Sequence, residues 1–190
     1  MKRVAVYCAA SAQIPADILA AGVEVGRLLA KSGCEVICGG GRTGLMRSVA
    51  DGALAEGGRV VGVLPQFMLD KGWNNPHLSE AIAVPGMHER KAYFLNNANA
   101  IIALPGGIGT YDELCEAMSC RQLNLYHGQI VIFNYQGFFD PLIAQIRKAI
   151  DMKFMLPSYI EIFDVADTPE ATVAAALAPV RHGDFEQKIK

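Results

Sequence analysis

Short runs of apolar and β-branched residues alternate along this chain with longer amphipathic segments, and that alternation leaves few architectures open. The runs cover residues 3–8, 35–38, 59–64, 81–84, 100–104, 129–133 and 160–163. They are nearly continuous in apolar character, the pattern of strands covered by helices on both faces. The segments 15–32, 44–56, 87–97, 110–123, 140–150 and 169–177 read as helices. The first of them carries Ile18, Ala21, Val25, Leu28 and Leu29 on one face. Strand and helix in alternation predict an α/β fold built on a doubly wound parallel sheet. A chain of 190 residues is long enough for one domain with a full core, expected over residues 1–180. Segment 66–79 and the charged tail 181–190 read as irregular.

Such a sheet binds ligands outside the carboxyl ends of its strands, near the point where strand order reverses. The loops to inspect therefore follow Cys8, Cys38, Leu64 and Leu104, and two of these four are glycine-rich. The first, Gly39-Gly40-Gly41-Arg42-Thr43-Gly44, formally satisfies G-x-G-x-x-G. It follows the second strand rather than the first, however, and the next run, 59–64, ends without the acidic residue that a dinucleotide fold places on the ribose. NAD and FAD are therefore not expected, and without a G-K-[ST] ending neither is a P-loop. The second loop, Pro105-Gly106-Gly107-Ile108-Gly109-Thr110, follows the run 100–104 and opens a helix. Its glycines allow a concave nest of backbone N–H groups, and the helix N-terminus adds free donors and a favourable dipole. The alternative is a tight turn whose glycines serve geometry alone. Two such loops at neighbouring strand ends favour a phosphate or phosphoribosyl ligand.

Glu113 has two readings. Thr110-Tyr111-Asp112-Glu113 fits a capping box, in which Glu113 would accept from the backbone N–H of Thr110. It equally fits a carboxylate placed for catalysis one turn into the helix. Upstream, Met87-His88-Glu89-Arg90-Lys91 begins another helix. A charged run of this kind usually marks a solvated face, but Arg90 turned inward would pair a phosphate or that carboxylate.

Net charge is −2, with no basic block, so a nucleic-acid partner is not expected. The apolar stretches are short for a membrane span, and the N-terminal run is short for a signal peptide; a cytoplasmic protein without membrane contact is expected. Five cysteines without C-x-x-C spacing and four scattered histidines read as structural, with no metal site.

The glycine loop continued through Leu45-Met46, the Met87–Lys91 run and the motif from Pro105 to Glu113 occur in the order and at the separations of one known family. The chain resembles the LONELY GUY (LOG) family of cytokinin riboside 5′-monophosphate phosphoribohydrolases, often labelled lysine decarboxylases. The resemblance extends from about Val4 to Leu177 and includes Gly137-Phe138-Phe139-Asp140-Pro141-Leu142. It implies a Rossmann-like homodimer that cleaves an adenine nucleotide to free base and ribose 5-phosphate without a cofactor. It carries the catalytic pair onto Arg90 and Glu113. Substrate and phosphate contacts fall on Lys91, Gly106, Gly107, Ile108, Gly109, Thr110, Asp112 and Ser119, joined by Gly40, Gly41, Gly44 and Ser11 from the other loops. Decarboxylation would require a pyridoxal phosphate Schiff-base lysine, which neither glycine loop supplies.

The chain departs from the family pattern at several points. Cys8-Ala9-Ala10-Ser11 stands for C-G-S-S, Gly86 for an acidic residue, Gly72 for a glutamate that contacts substrate in some members, and Ser119-Cys120 for T-W. These changes spare the phosphate and catalytic motifs and bear on the identity of the base. Two rival functions share the loops: a broader nucleoside 5′-monophosphate nucleosidase, and a non-catalytic nucleotide or molybdenum-cofactor carrier.

Overall fold

The structure, a computed structural model, describes residues 1–180; the expected charged tail 181–190 lies outside the described residues. Seven strands form one sheet: β1 (Arg3–Tyr7), β2 (Glu35–Cys38), β3 (Val60–Pro65), β4 (Glu80–Val84), β5 (Ala100–Ala103), β6 (Gln129–Phe133) and β7 (Asp164–Ala166). Their order is β4-β3-β2-β1-β5-β6-β7, and every pairing is parallel. The doubly wound α/β expectation therefore holds. Strand order reverses between β1 and β5, where Val6 pairs with Cys38 on one side and Ile102 on the other.

The helices are α1 (Ala16–Lys31), α2 (Gly44–Ala55), α3 (Gln66–Asp70), α4 (Met87–Asn97), α5 (Ile108–Gln122), α6 (Asp140–Asp151) and α7 (Pro169–Leu177). Alternate strand residues feed two cores. Val4, Val6 and Cys8 pack with Val25 and Leu29 of α1, Val49 of α2 and Val173 of α7. Ala5 and Tyr7 face Phe94 of α4, Leu114 of α5 and Ile143 of α6. Helices thus bury both faces, which is why the strands lack a polar alternation. Among the described residues no helix is long and apolar enough to cross a membrane.

One contact in the first core is unusually close. A Cβ added at Gly52 would lie 2.0 Å from the backbone oxygen of Val23, so α1 and α2 touch backbone to backbone. This close approach fixes how closely α2 lies against α1. At the opposite end of the sheet, buried Glu35 accepts from Nε of both Arg3, at 2.9 Å, and Arg59, at 2.8 Å, tying β1, β2 and β3 together.

Three local expectations are corrected. The strand expected at 160–163 is instead the end of a 3-10 segment, Pro157–Ile162, and β7 starts at Asp164. Proline opens that segment and its buried residues Tyr159 and Ile162 recur three apart, the period of a 3-10 turn. Segment 66–79, read as irregular, contains α3 and an isolated antiparallel bridge from Asn74 to Gly41. Finally, α5 begins at Ile108 with extended Gly107 as its N-cap. Thr110 is thus a helical residue, and the capping box does not form.

Candidate active site

The loops after β1, β2 and β5 meet above the carboxyl edge of the sheet and enclose two adjoining cavities. The polar one, about 340 Å³, lies at the switch point and is lined by Cys8, Ser11, Gly107, Gly109, Thr110 and Glu113, among others. The apolar one, about 440 Å³, lies toward β3 and is lined by Gly41, Arg42, Leu64, Met68 and Trp73. Ala10, Met46 and Arg90 border both.

The two glycine loops use their glycines differently. In the first, Gly40 and Gly44 adopt φ of +71° and +62°, a left-handed backbone that side chains disfavour. In the second, none of Gly106, Gly107 and Gly109 is left-handed. Instead, no atom comes within 4 Å of a Cβ placed on Gly107 or Gly109. The loop is open for close approach, and no described side chain caps α5. The first N–H groups of α5 therefore face the polar cavity with their dipole, which is the physical basis of anion binding at a helix start.

Arg90 and Glu113 are brought together as expected from an inward-turning Arg90. Both are buried, and Arg90 Nη2 lies 3.8 Å from Glu113 Oε1. Burial is the largest influence on Glu113 and pushes its carboxyl up to about 7, against the opposing effect of Arg90. At 3.8 Å the guanidinium makes no direct hydrogen bond to the carboxylate, so the attraction fails to offset lost hydration. Arg90 is itself poorly satisfied. Its Nη1 reaches only the sulfur of Met87, at 3.8 Å, and its buried Nε finds no acceptor among the described residues. A buried cation with an unmet donor thus lies beside a carboxyl raised to about 7, an arrangement that burial in a ligand-sized cavity favours at functional sites.

The other expected site residues fall into three groups. Gly107, Gly109, Thr110 and Ser11 line the polar cavity, and Gly41 lines the apolar one. Gly40, Gly44 and Gly106 shape the loops from behind; a Cβ on Gly106 would meet Thr110 Oγ1 at 2.0 Å. Lys91, Asp112, Ile108 and Ser119 line neither cavity. Lys91 Nζ bridges Asp112 and Glu116, each at 3.1 Å, locking α4 against α5. Ser119 Oγ donates back to Cys115 O of its own helix, and Ile108 points outward, 82% exposed.

Of the apolar cavity the sequence pointed to Gly41, to the loop after Leu64 and, by resemblance, to Gly72; its walls Leu64, Met68 and Trp73, the last two in segment 66–79, are not among the expected site residues. Trp73 O accepts from Arg42 N, and Asn75 N donates to Gly40 O, so this segment is strapped over the first glycine loop. The one available signal was the sole tryptophan of the chain placed in a loop. Among the described residues no group of three His, Cys, Asp or Glu side chains could hold a metal ion.

Comparison with known proteins places the chain in a family. The family model described as "Possible lysine decarboxylase" matches residues 46–176. Among the described residues no lysine lines either cavity, so the residues described there do not fit the pyridoxal phosphate that amino-acid decarboxylation would use. The cytokinin riboside 5′-monophosphate phosphoribohydrolase LOG of Oryza sativa subsp. japonica is 36% identical over 90% of this chain and 71% of its own length. LOG5 of Arabidopsis thaliana is 34% identical over 96% of this chain and 81% of its own. Among solved structures, the protein TM1055 superposes with a TM-score of 0.72 at 30% identity, covering 92% of this chain and 97% of that one. The molybdenum cofactor carrier protein of Chlamydomonas reinhardtii, at 21% identity and a TM-score of 0.70 over 92% of this chain and 94% of its own, shares the fold. By the matched model and by these relatives alike, the chain belongs to the LOG family.

Proposed function

We propose that this chain hydrolyses the N-glycosidic bond of an adenine nucleoside 5′-monophosphate, AMP or a cytokinin riboside monophosphate, to free base and ribose 5-phosphate. The observation that carries this reading is the adjacency of the two cavities, with Arg90 at their junction and Glu113 beside it in the polar one. A phosphoribosyl group fits the open start of α5, and a planar base fits the apolar cavity beside Trp73, Met46 and Met68. The bond joining sugar to base then lies beside Arg90 and Glu113. In the reaction the C1′–N bond breaks with oxocarbenium character, the water oxygen bonds to C1′ and gives up one proton, and the departing base nitrogen gains one, so that net one proton passes from water to the base. Glu113, ionised, stabilises the developing positive charge and orients or deprotonates water. Arg90 holds Glu113 and faces the leaving base. Lys91 and Asp112 act in this reading from outside the cavities, through the α4–α5 contact.

The test is incubation of the protein with AMP, its N6-prenylated analogues, and guanine and pyrimidine monophosphates, with chromatographic detection of free base and ribose 5-phosphate. Release confined to adenine nucleotides is the expected result. Release from every monophosphate would replace it by the broader nucleosidase. Nucleotide bound without release would leave a carrier, although a carrier has no use for a carboxyl poised near neutrality beside a buried arginine.

The apolar cavity supplies a separate prediction. Trp73→Ala removes the largest apolar wall, and loss of base stacking is worth about 1–3 kcal/mol. KM for AMP is expected to rise about 5- to 100-fold, with a smaller effect on kcat. Equal KM values for variant and wild type would remove the base from this cavity. A cytoplasmic homodimer completes the reading; Ile108, Leu123 and Leu125 leave exposed apolar surface at the two ends of α5 for a second copy to cover.

A further inference from the structure

Gly39 opens the first glycine loop and borders the apolar cavity, but has no role of its own in the reading above. It follows β2 directly, and its missing side chain faces the Arg90 guanidinium. A Cβ built there would lie 2.1 Å from Arg90 Nη2 and 2.9 and 3.0 Å from Cε and Sδ of Met46. Both the arginine and the methionine atoms are tips of flexible side chains, and Gly39 is not among the left-handed glycines. An alanine is therefore compatible with the backbone, but Arg90 must leave its place. On its other sides the guanidinium is bounded by the Phe94 ring, 5.7 Å from centroid to Cζ, by Met87 sulfur and by Glu113. The position it occupies exists because Gly39 ends at Cα.

We propose that Gly39 is a positioning residue of this site: its absent side chain is the seat that holds the Arg90 guanidinium against Glu113, between the phosphate and base cavities. The inference rests on reading Arg90 and Glu113 as the hydrolytic pair. It differs from a general loop requirement because only side-chain tips oppose a larger residue here. At Gly44, by contrast, a Cβ would meet backbone of Ala9, Ala10 and Ser11.

The experiment compares wild type, Gly39→Ala, Arg90→Ala and the double variant. Gly39→Ala is expected to fold with a thermal midpoint near wild type and to lose about 10- to 100-fold in kcat, the scale of an ångström-sized misplacement. In the Arg90→Ala background the same change is expected to cost nothing further, since there is no guanidinium left to displace. A second readout needs no turnover: carboxyl NMR of Glu113 across pH. Arg90 and Lys91 of α4 are the cations acting on Glu113, while Asp112 and Glu116 oppose its ionisation; Tyr7 and Cys8 are neutral neighbours from β1 and its following loop. Displacing Arg90 is expected to move the Glu113 midpoint to higher pH. Unchanged kcat with an unchanged midpoint would overturn the proposal. So would losses that multiply in the double variant, or a Gly39→Ala protein that does not fold. A wild type that releases no base, combined with a midpoint that still shifts in Gly39→Ala, would sink the hydrolase reading and leave the seat standing.

Discussion

Replacing Glu113 by glutamine is expected to lower kcat for base release by about 10²–10⁴, the usual scale for a positioned acid–base group. The substitution keeps size and burial but removes the charge, so nucleotide binding at the α5 N-terminus should survive, as titration calorimetry with AMP would register. Full activity in this variant would reduce Glu113 to a structural residue. Its elevated midpoint has two consequences of opposite sense. In catalysis the ionised form acts, so wild-type kcat/KM should fall with unit slope below pH about 7, and the E113Q profile should lose that limb. In stability the sign reverses. The folded pKa, about 7, lies above the ordinary 4.5, so the folded state holds this proton more tightly than the unfolded chain. The resulting contribution is fully present below pH 4.5 and is lost as pH rises through 7. At pH 8 the E113Q variant should therefore be more stable than wild type, by up to about 3 kcal/mol; denaturant midpoints at pH 5 and pH 8 would reveal it. An active site that is destabilised where it works is a familiar cost of function.

Gly52→Val is expected to damage the fold severely while leaving every cavity-lining residue in place. Its Cβ would fall 2.0 Å from the Val23 carbonyl oxygen, with Val23 C at 2.8 Å. Backbone cannot rotate away as a side chain can, so α2 must separate from α1. Overpacking of this kind costs about 3 kcal/mol, equivalent to roughly 6–12 °C in Tm for a domain of this size. Because α2 opens directly from the first glycine loop, the separation should also weaken nucleotide binding. A melting curve within 2 °C of wild type would show that the α1–α2 contact yields more easily than its geometry implies.

Much of the architecture was legible before any coordinates. The apolar runs mark six of the seven strands within one or two residues. Five of the six are buried almost throughout and must be apolar on both faces, and the edge strand β4 is apolar after Glu80 although none of it is fully buried. The seventh was misplaced because β7 is short and opens on Asp164, while the apolar run before it packs as a 3-10 turn. The capping box failed because Thr110-Tyr111-Asp112-Glu113 says nothing of where its helix begins. Extended Gly107 starts it earlier and carries Glu113 inward.

The sequence by itself determined the α/β layering and the two strand ends that bear glycine loops, since local periodicity and turn chemistry dictate both. Tertiary structure alone decided what those loops enclose. Arg90 lies 3.8 Å from Glu113 only because α4 and α5 flank one face of the sheet, while Lys91, next along the chain, is turned to Asp112 and Glu116. The apolar cavity exists only because the segment carrying Trp73 is hydrogen-bonded across the first glycine loop. The carboxyl midpoint follows from the same cause. Hydration is lost through neighbours remote in the chain, and no motif records how much water a folded cavity leaves behind.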